Sequence, residues 1–225
     1  MRIPLTKYGT PQVIIFPLIT IAVMAAAILL PLPKTALFTI ETLLFIVLIW
    51  ILSFFRDPLR IAPGDANLLL SPADGTISDI EIVDGNEHFS GKQLKIGIFL
   101  SVFNVHINRS PCNATIENII YKPGKFKDAR NPDASKVNEA NDIIMIRTDN
   151  PTDKLLVRQI SGAIARRIVC DVKPGQNLAG GQKFGMIKFG SRTELYMPQH
   201  DTIKCLVKKG DKVKAAITPL IRYQK

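Results

Sequence analysis

The chain has 225 residues, with 29 Lys and Arg against 19 Asp and Glu and a net charge of +10, so it has room for one or two domains. A basic balance suits an anionic partner, either nucleic acid or the anionic surface of a membrane. No zinc-finger spacing, aromatic-studded RNA-binding signature or basic run of helical period is present, which excludes the common nucleic-acid modules.

Charge is spread unevenly. The first 55 residues carry only Arg2, Lys7, Lys34 and Glu41, and this composition break divides the chain into 1–55 and 56–225. Residues 13–32 are apolar except for Thr20, with Pro17 inside, and 35–55 form a second apolar run interrupted by Thr39, Glu41, Thr42 and Ser53. Each run is close to the roughly 20 residues that span a hydrocarbon core. The connection Pro31-Leu32-Pro33-Lys34 is short enough to demand an antiparallel helical hairpin. A signal peptide is the rival for the first run, but its apolar core is too long and no small-residue cleavage site follows. Arg2 and Lys7 flank one side, Arg56 and Arg60 the other, and Lys34 stands alone at the tip. The positive-inside bias then places both ends, and the domain after them, on the cytoplasmic side of the cell membrane. Glu41 is expected near the interface at the start of the second helix.

From Arg56 onward, short β-branched runs alternate with Gly, Pro, Asn and Asp. This reads as roughly ten strands and a mainly β barrel or sandwich. One helical turn or two fits "PDASKVNEAND". "VKPGQNLAGGQKFGMI" and "VKKGDKVKAAITPLI" share a rhythm of strand end, tight turn and strand, similar to the half-barrels of biotinyl and lipoyl domains. The exposed hairpin-tip lysine of a carrier domain is missing. Cys112, Cys170 and Cys205 are scattered, with no CxxC or Cys/His cluster, and read as reduced thiols of a cytoplasmic domain.

Three histidines are candidates for chemistry. His88 and His200 sit in polar loops, whereas His106 lies in the strand-like "FLSVFNVHINRSP" with Asn104 and Asn108 on the same face by period two. Such a polar face is costly unless satisfied or used. No short His-x-His or His-Glu pairing supports a metal. Near the C-terminus, Gly190 and Ser191 interrupt the strand-like "MIKFGSRTELYMP". A hydrolase triad of Ser191, His106 and Asp74 is open in principle, but Ser191 lacks the Gly-x-Ser-x-Gly elbow.

Five motifs come in order: "FRDP" (55–58), "SPADG" (71–75), "FLSVFNVHINRSP" (99–111), "QISGAIARRIVC" (159–170) and "FGSRTELYMP" (189–198). Together they resemble the phosphatidylserine decarboxylases, in their shorter bacterial and archaeal branch, and the resemblance covers the hairpin too. It implies that the protein cuts its own Gly190–Ser191 bond. Ser191 attacks the preceding carbonyl, and elimination and hydrolysis then leave a pyruvoyl group, a covalent cofactor that forms a Schiff base with phosphatidylserine. Chain 1–190 stays with the membrane, and chain 191–225 carries the pyruvoyl cap. The resemblance offers His106, oriented by Asp74, as base and proton donor, and Arg56 or Arg192 as holders of the lipid's anionic groups. It leaves a homodimer open. The longer branch has a second His three residues after the first; here that position is Arg109, which cannot act as a base at neutral pH. His106 alone, or with His88, would then serve self-cleavage. Two rivals remain: a membrane-tethered hybrid-barrel binding protein, and a serine hydrolase of lipid esters.

Overall fold

The structure is a computed structural model that describes residues 4–85, 88–131, 133–163, 167–188 and 190–224. The chain divides into two compact units, Met1–Leu59 and Arg60–Lys225.

The first unit is the hairpin. A 3-10 turn, Lys7–Gly9, leads into α1 (Thr10–Ile28), and α2 spans Lys34–Phe54. Pro11 sits in the first turn of α1, where its missing N–H costs nothing, and Pro31 and Pro33 keep the connection from continuing as helix. The hydroxyls of Thr20, Thr39 and Thr42 donate to the carbonyls four residues back, at 2.8, 2.9 and 2.8 Å, so they tolerate apolar surroundings. By length and composition both helices can cross a membrane, with mean hydropathies of 2.2 and 2.4. Glu41 falls about 10 Å along α2, further in than the helix start. Its Oε1 is shielded and has no hydrogen-bond partner among the described residues. Phe55 O accepts from Thr6 N–H (2.9 Å) and Pro4 O from Asp57 N–H (2.6 Å), which closes the base of the hairpin.

The second unit is mainly β, as the punctuation of its sequence requires. In chain order the strands are β1 (Leu68–Leu70), β2 (Gly75–Val83), β3 (Gln93–Leu100), β4 (Ile107–Arg109), β5 (Ala114–Lys122), β6 (Ala140–Arg147), β7 (Lys154–Ile160) and β8 (Ile168–Cys170). They continue as β9 (Asn177–Leu178), β10 (Lys183–Ile187), β11 (Ser191–Pro198), β12 (Ile203–Cys205), β13 (Lys212–Val213) and β14 (Pro219–Tyr223). One turn of helix, α3 (Ala134–Val137), falls inside the segment expected to hold it. An eight-stranded antiparallel sheet runs β13-β2-β3-β11-β7-β6-β5-β9, beside three-stranded sheets β4-β10-β8 and β1-β14-β12. The large sheet curls around one apolar core, to which Ile77, Ile98, Leu195, Val157 and Met145 contribute from successive strands and Phe184 from β10. Each such fully buried side chain contributes roughly 1.5–3 kcal/mol.

One expectation fails. Residues 99–111 are not a continuous strand: β3 stops at Leu100, a turn follows, and β4 resumes at Ile107. The cause is local. Asn104 Oδ1 accepts from both the N–H and the hydroxyl of Ser101 (2.9 and 2.8 Å), a competitor that folds the backbone out of the ladder.

Candidate active site

The Gly190–Ser191 link lies where the chain changes sheets. β10 pairs with β4 and β8, whereas β11 pairs with β3 and β7. The crossover takes only residues 188–190, of which Phe189 lies outside the described residues. Gly190 makes the turn with φ +70°, a left-handed conformation that a side chain would strain. Ser191 is the first residue of β11, opposite Leu100. It is fully buried, and its Oγ has no hydrogen-bond partner among the described residues. A buried hydroxyl left this way carries a desolvation penalty, and such orphans mark sites of strain or reaction.

His106 reaches the link because β3 ends opposite Ser191 and the Ser101–Asn104 turn sends the chain straight back. The His106 carbonyl accepts from Ile187 N–H (3.2 Å), and the buried ring spans two backbone groups. Nδ1 donates to Asn104 O (3.0 Å), while Nε2 accepts from Gly190 N–H (3.2 Å). Those partners assign the neutral tautomer with its lone pair on Nε2, facing the link.

Asp74 is placed differently from the triad reading. Its carboxylate is gripped by both ends of the Arg60 guanidinium, one contact at 2.7 Å, and accepts from Ala215 N–H at 2.8 Å. The planar fork of arginine matches a carboxylate better than one imidazole N–H can. The group that orients His106 is therefore the Asn104 carbonyl. Asp74 acts at one remove, by fixing the 71–75 turn: Pro72 O in that turn accepts from Arg109 N–H (3.0 Å) and Asn108 Nδ2 (3.4 Å).

A neutral polar chain supports the link from behind. Asn141 Nδ2 donates to Gln159 Oε1 (3.1 Å), Gln159 Nε2 to Asn108 Oδ1 (2.9 Å), and Asn108 Nδ2 to Thr193 Oγ1 (3.0 Å). The Gly190 carbonyl oxygen approaches Gly162 so closely that a Cβ there would stand 2.3 Å away. Next to it the buried Ser161 hydroxyl also has no partner among the described residues. The sequence reading missed this support; only the glycine of "QISG" hinted at a close backbone approach.

One cavity adjoins the link, and a second is bounded by Arg192. One, of about 360 Å³, is walled by Phe99, Val102, Ala129 and Ala163 and opens on Gly190. The other, of about 390 Å³, is lined by Asp79, Lys95, Lys136 and Arg192, and Arg130 borders both. Arg192 itself is fully engaged: it donates to Asp79 Oδ2 (2.6 Å) and Glu194 Oε1 (2.8 Å). Burial pulls its pKa down, but Glu194 and Asp79 outweigh that and hold it above its ordinary value. Burial, with the Arg167 guanidinium adding to it, pushes the Lys188 amine on the crossover below its ordinary range.

The other sequence candidates have contacts of their own. Arg56 belongs to the hairpin unit and donates to Ser53 O at 2.7 Å. Arg109 donates from β4 to Gly181 O (3.2 Å). His88 is tied to Asp142 (2.9 Å), which also binds Arg158 and Lys122. His200 is exposed in a loop. Among the described residues, no three His, Cys, Asp or Glu side chains gather as metal ligands.

At the link, a fully buried Ser191 follows a half-buried Gly190 whose N–H rests on the His106 ring. Residues 47–220 match the family described as phosphatidylserine decarboxylase. This chain belongs to the phosphatidylserine decarboxylase family. Relatives named phosphatidylserine decarboxylase proenzyme include one from Carboxydothermus hydrogenoformans, 44% identical over 83% of this chain and 86% of that protein. Another, from Pelagibacter ubique, is 42% identical over 88% of this chain and 92% of its own length. A third, from Geotalea uraniireducens, is 40% identical over 96% and 95%, a span that takes in the hairpin as well as the β unit. The chain is thus an enzyme of the decarboxylase class. The word proenzyme in the relatives' names agrees with a family whose members are made as precursors.

Proposed function

We propose that this chain cuts itself between Gly190 and Ser191 and then decarboxylates phosphatidylserine to phosphatidylethanolamine at a membrane surface. The observation that carries this reading is the partnerless Ser191 hydroxyl, beside a left-handed Gly190 whose N–H rests on His106 Nε2. For cleavage, the ring exchanges that hydrogen bond for the Ser191 O–H and takes its proton. Oγ bonds to the Gly190 carbonyl carbon, the C–N bond breaks as nitrogen is protonated, and an ester replaces the amide. Loss of the Ser191 Cα proton with scission of Cβ–Oγ leaves a Gly190 carboxylate. Hydrolysis of the remaining enamine releases ammonia and leaves a ketone at residue 191. The close seat of Gly190 O on Gly162 leaves that oxygen little freedom while the carbonyl becomes tetrahedral.

The pyruvoyl group at residue 191 supplies an electrophilic carbonyl for the lipid's amine and a sink for the electrons left by departing carbon dioxide. His106, whose ring meets that crossover at Gly190, returns a proton to the substrate carbon. The apolar walls Phe99, Val102, Ala129 and Ala163 keep water from it. Arg130, at the rim, is the cation assigned to the lipid's anionic groups. Arg192 serves to fix β11 through its two carboxylates, and Arg56 stays with the hairpin. The hairpin lies in the cell membrane with both ends cytoplasmic, as its flanking Lys7, Arg56 and Arg60 favour.

Intact mass spectrometry of the purified protein tests the reading. The expected result is a fragment of residues 191–225 beginning with a pyruvoyl group, and only full-length chain from Ser191→Ala. An active preparation with the link whole would overturn it.

A further inference from the structure

We infer that the loops rimming the Gly190 cavity form a membrane-docking surface for an anionic bilayer, through which the substrate's head group enters without its acyl chains leaving the lipid. The inference rests on the proposed activity and deepens it. On one rim, the turn that closes on Asn104 carries Val102 in the cavity wall and Phe103 at its tip, with 72% of Phe103 exposed. On the other rim, Lys125-Phe126-Lys127 leads into Asp128, Ala129 and Arg130 of the same wall; Phe126 is 41% exposed, and both lysines are exposed. Large exposed aromatics beside a cavity mark an interaction surface rather than scattered surface residues. Their setting points to lipid: an aromatic flanked by lysines is the composition that seats at a head-group boundary of negative charge. The local balance favours an anion, with Lys125, Lys127 and Arg130 against Asp128 alone, whose carboxylate is already taken by Arg130 (2.5–3.1 Å).

The rim is also built firmly enough to present these side chains. Asn138, buried behind the loop, accepts from Lys127 N–H (2.9 Å) and donates to Lys127 O and Ser161 O (both 2.8 Å). Lys125 N–H donates to Val137 O at 2.7 Å. Asn138 ties the loop to Ser161, next to Gly162, and Val137 holds Lys125, so the exposed Phe126 sits on a segment anchored close to the link. Cavity size supplies the last step. About 360 Å³ is near the low end of the roughly 300–1,000 Å³ typical of small-ligand sites, room for a head group and not for two acyl chains. A diacyl substrate can then react only if the cavity mouth meets the bilayer surface.

The test uses the full chain, with Cys205→Ser removing the exposed native thiol. Phe103→Cys or Phe126→Cys carries a nitroxide, and the protein is reconstituted in phosphatidylcholine vesicles with or without phosphatidylglycerol. Both labels are expected to become more accessible to oxygen than to a water-soluble nickel chelate, and more so with phosphatidylglycerol. Labels that stay water-accessible in the anionic vesicles would overturn the inference. In a second arm, Lys125→Glu with Lys127→Glu is expected to lower kcat/KM on vesicle-borne phosphatidylserine about thirty-fold more than on monomeric dihexanoyl phosphatidylserine, given about 1 kcal/mol per basic residue at an anionic surface. Equal losses on both substrates would sink the docking role. The label readout needs no turnover. Failure of cleavage at Gly190 therefore strikes the enzymatic reading, whereas water-exposed labels strike this one.

Discussion

Ser191 and Arg192 are neighbours at the start of one strand, yet they live in opposite circumstances. Ser191 has a buried hydroxyl with nothing to bond. Arg192 meets two carboxylates, and one of these, Glu194, also accepts from Ser135 (2.8 Å) and Tyr196 (2.6 Å). Strand alternation separates them: Leu195 and Met197 follow into the apolar core, while Glu194 and Tyr196 join the charged face. The charged face is densely paired and holds β11 in place. At the link the Ser191 hydroxyl is left unsatisfied, as is the nearby Ser161 hydroxyl, among the described residues. A reactive serine needs both conditions, since an orphan hydroxyl in a loose setting would turn to solvent or to a backbone partner.

Experiments can break this contrast. The largest effect belongs to Ser191→Ala, for which neither cleavage nor decarboxylation is expected on a gel or in a carbon dioxide assay. His106→Ala should slow cleavage by about 10²–10⁴-fold, the usual worth of a positioned base, measured as the decay of full-length chain after synthesis. Gly162→Ala should slow cleavage by about 10²-fold, because the new methyl displaces the Gly190 carbonyl; wild-type kinetics would show that this contact does not position the link. On the charged face, Arg192→Ala should act through stability. It leaves Glu194 buried without its cation and the half-buried Asp79 with Lys95 alone, at a cost of about 3–5 kcal/mol in urea unfolding.

The mildest test is acid. Burial pushes the Asp79 carboxyl up, but the Ser78 hydroxyl, Arg192 and Lys95 together hold it below the ordinary 3.8. Asp142 is likewise raised by burial and pulled below 3.8 by Arg158, Lys122 and His88. Carboxyls with lowered folded pKa values stabilise the fold above their unfolded value and lose that contribution as the pH drops. Melting temperature should therefore hold steady down to about pH 5 and fall below about pH 4. Asp142→Asn should flatten part of that acid slope; an unchanged slope would show that the ion cluster does not govern it.

What the sequence made legible follows from range. The hairpin and the strand-rich unit depend on local composition and order, and they appear as expected. The partner of Asp74 does not, because Arg60 reaches it from a segment that looks like a linker. The walls Ala129, Arg130 and Ala163 come from loops with no chemical signature of their own, and only the fold brings them to Gly190. The break after Leu100 was readable in principle. Ser101 and Asn104, three apart, form a side-chain turn that competes with a strand, but the surrounding β-branched residues hid it.

β11 is an interior strand, in register with β3 from Ser191 to Pro198 and with β7 from Arg192 to Tyr196. A scission just before its first residue therefore frees no piece of the protein. The short fragment that the proposed cut would make stays woven between two ladders, and only unfolding could draw it out. Maturation of this kind runs in one direction and once per molecule: the severed ends have no route back to a peptide bond, and a spent cap cannot be exchanged for a fresh one. On the proposed reading, each copy's working life would end with its first lost cap, and the cell could restore capacity only by synthesising new chains.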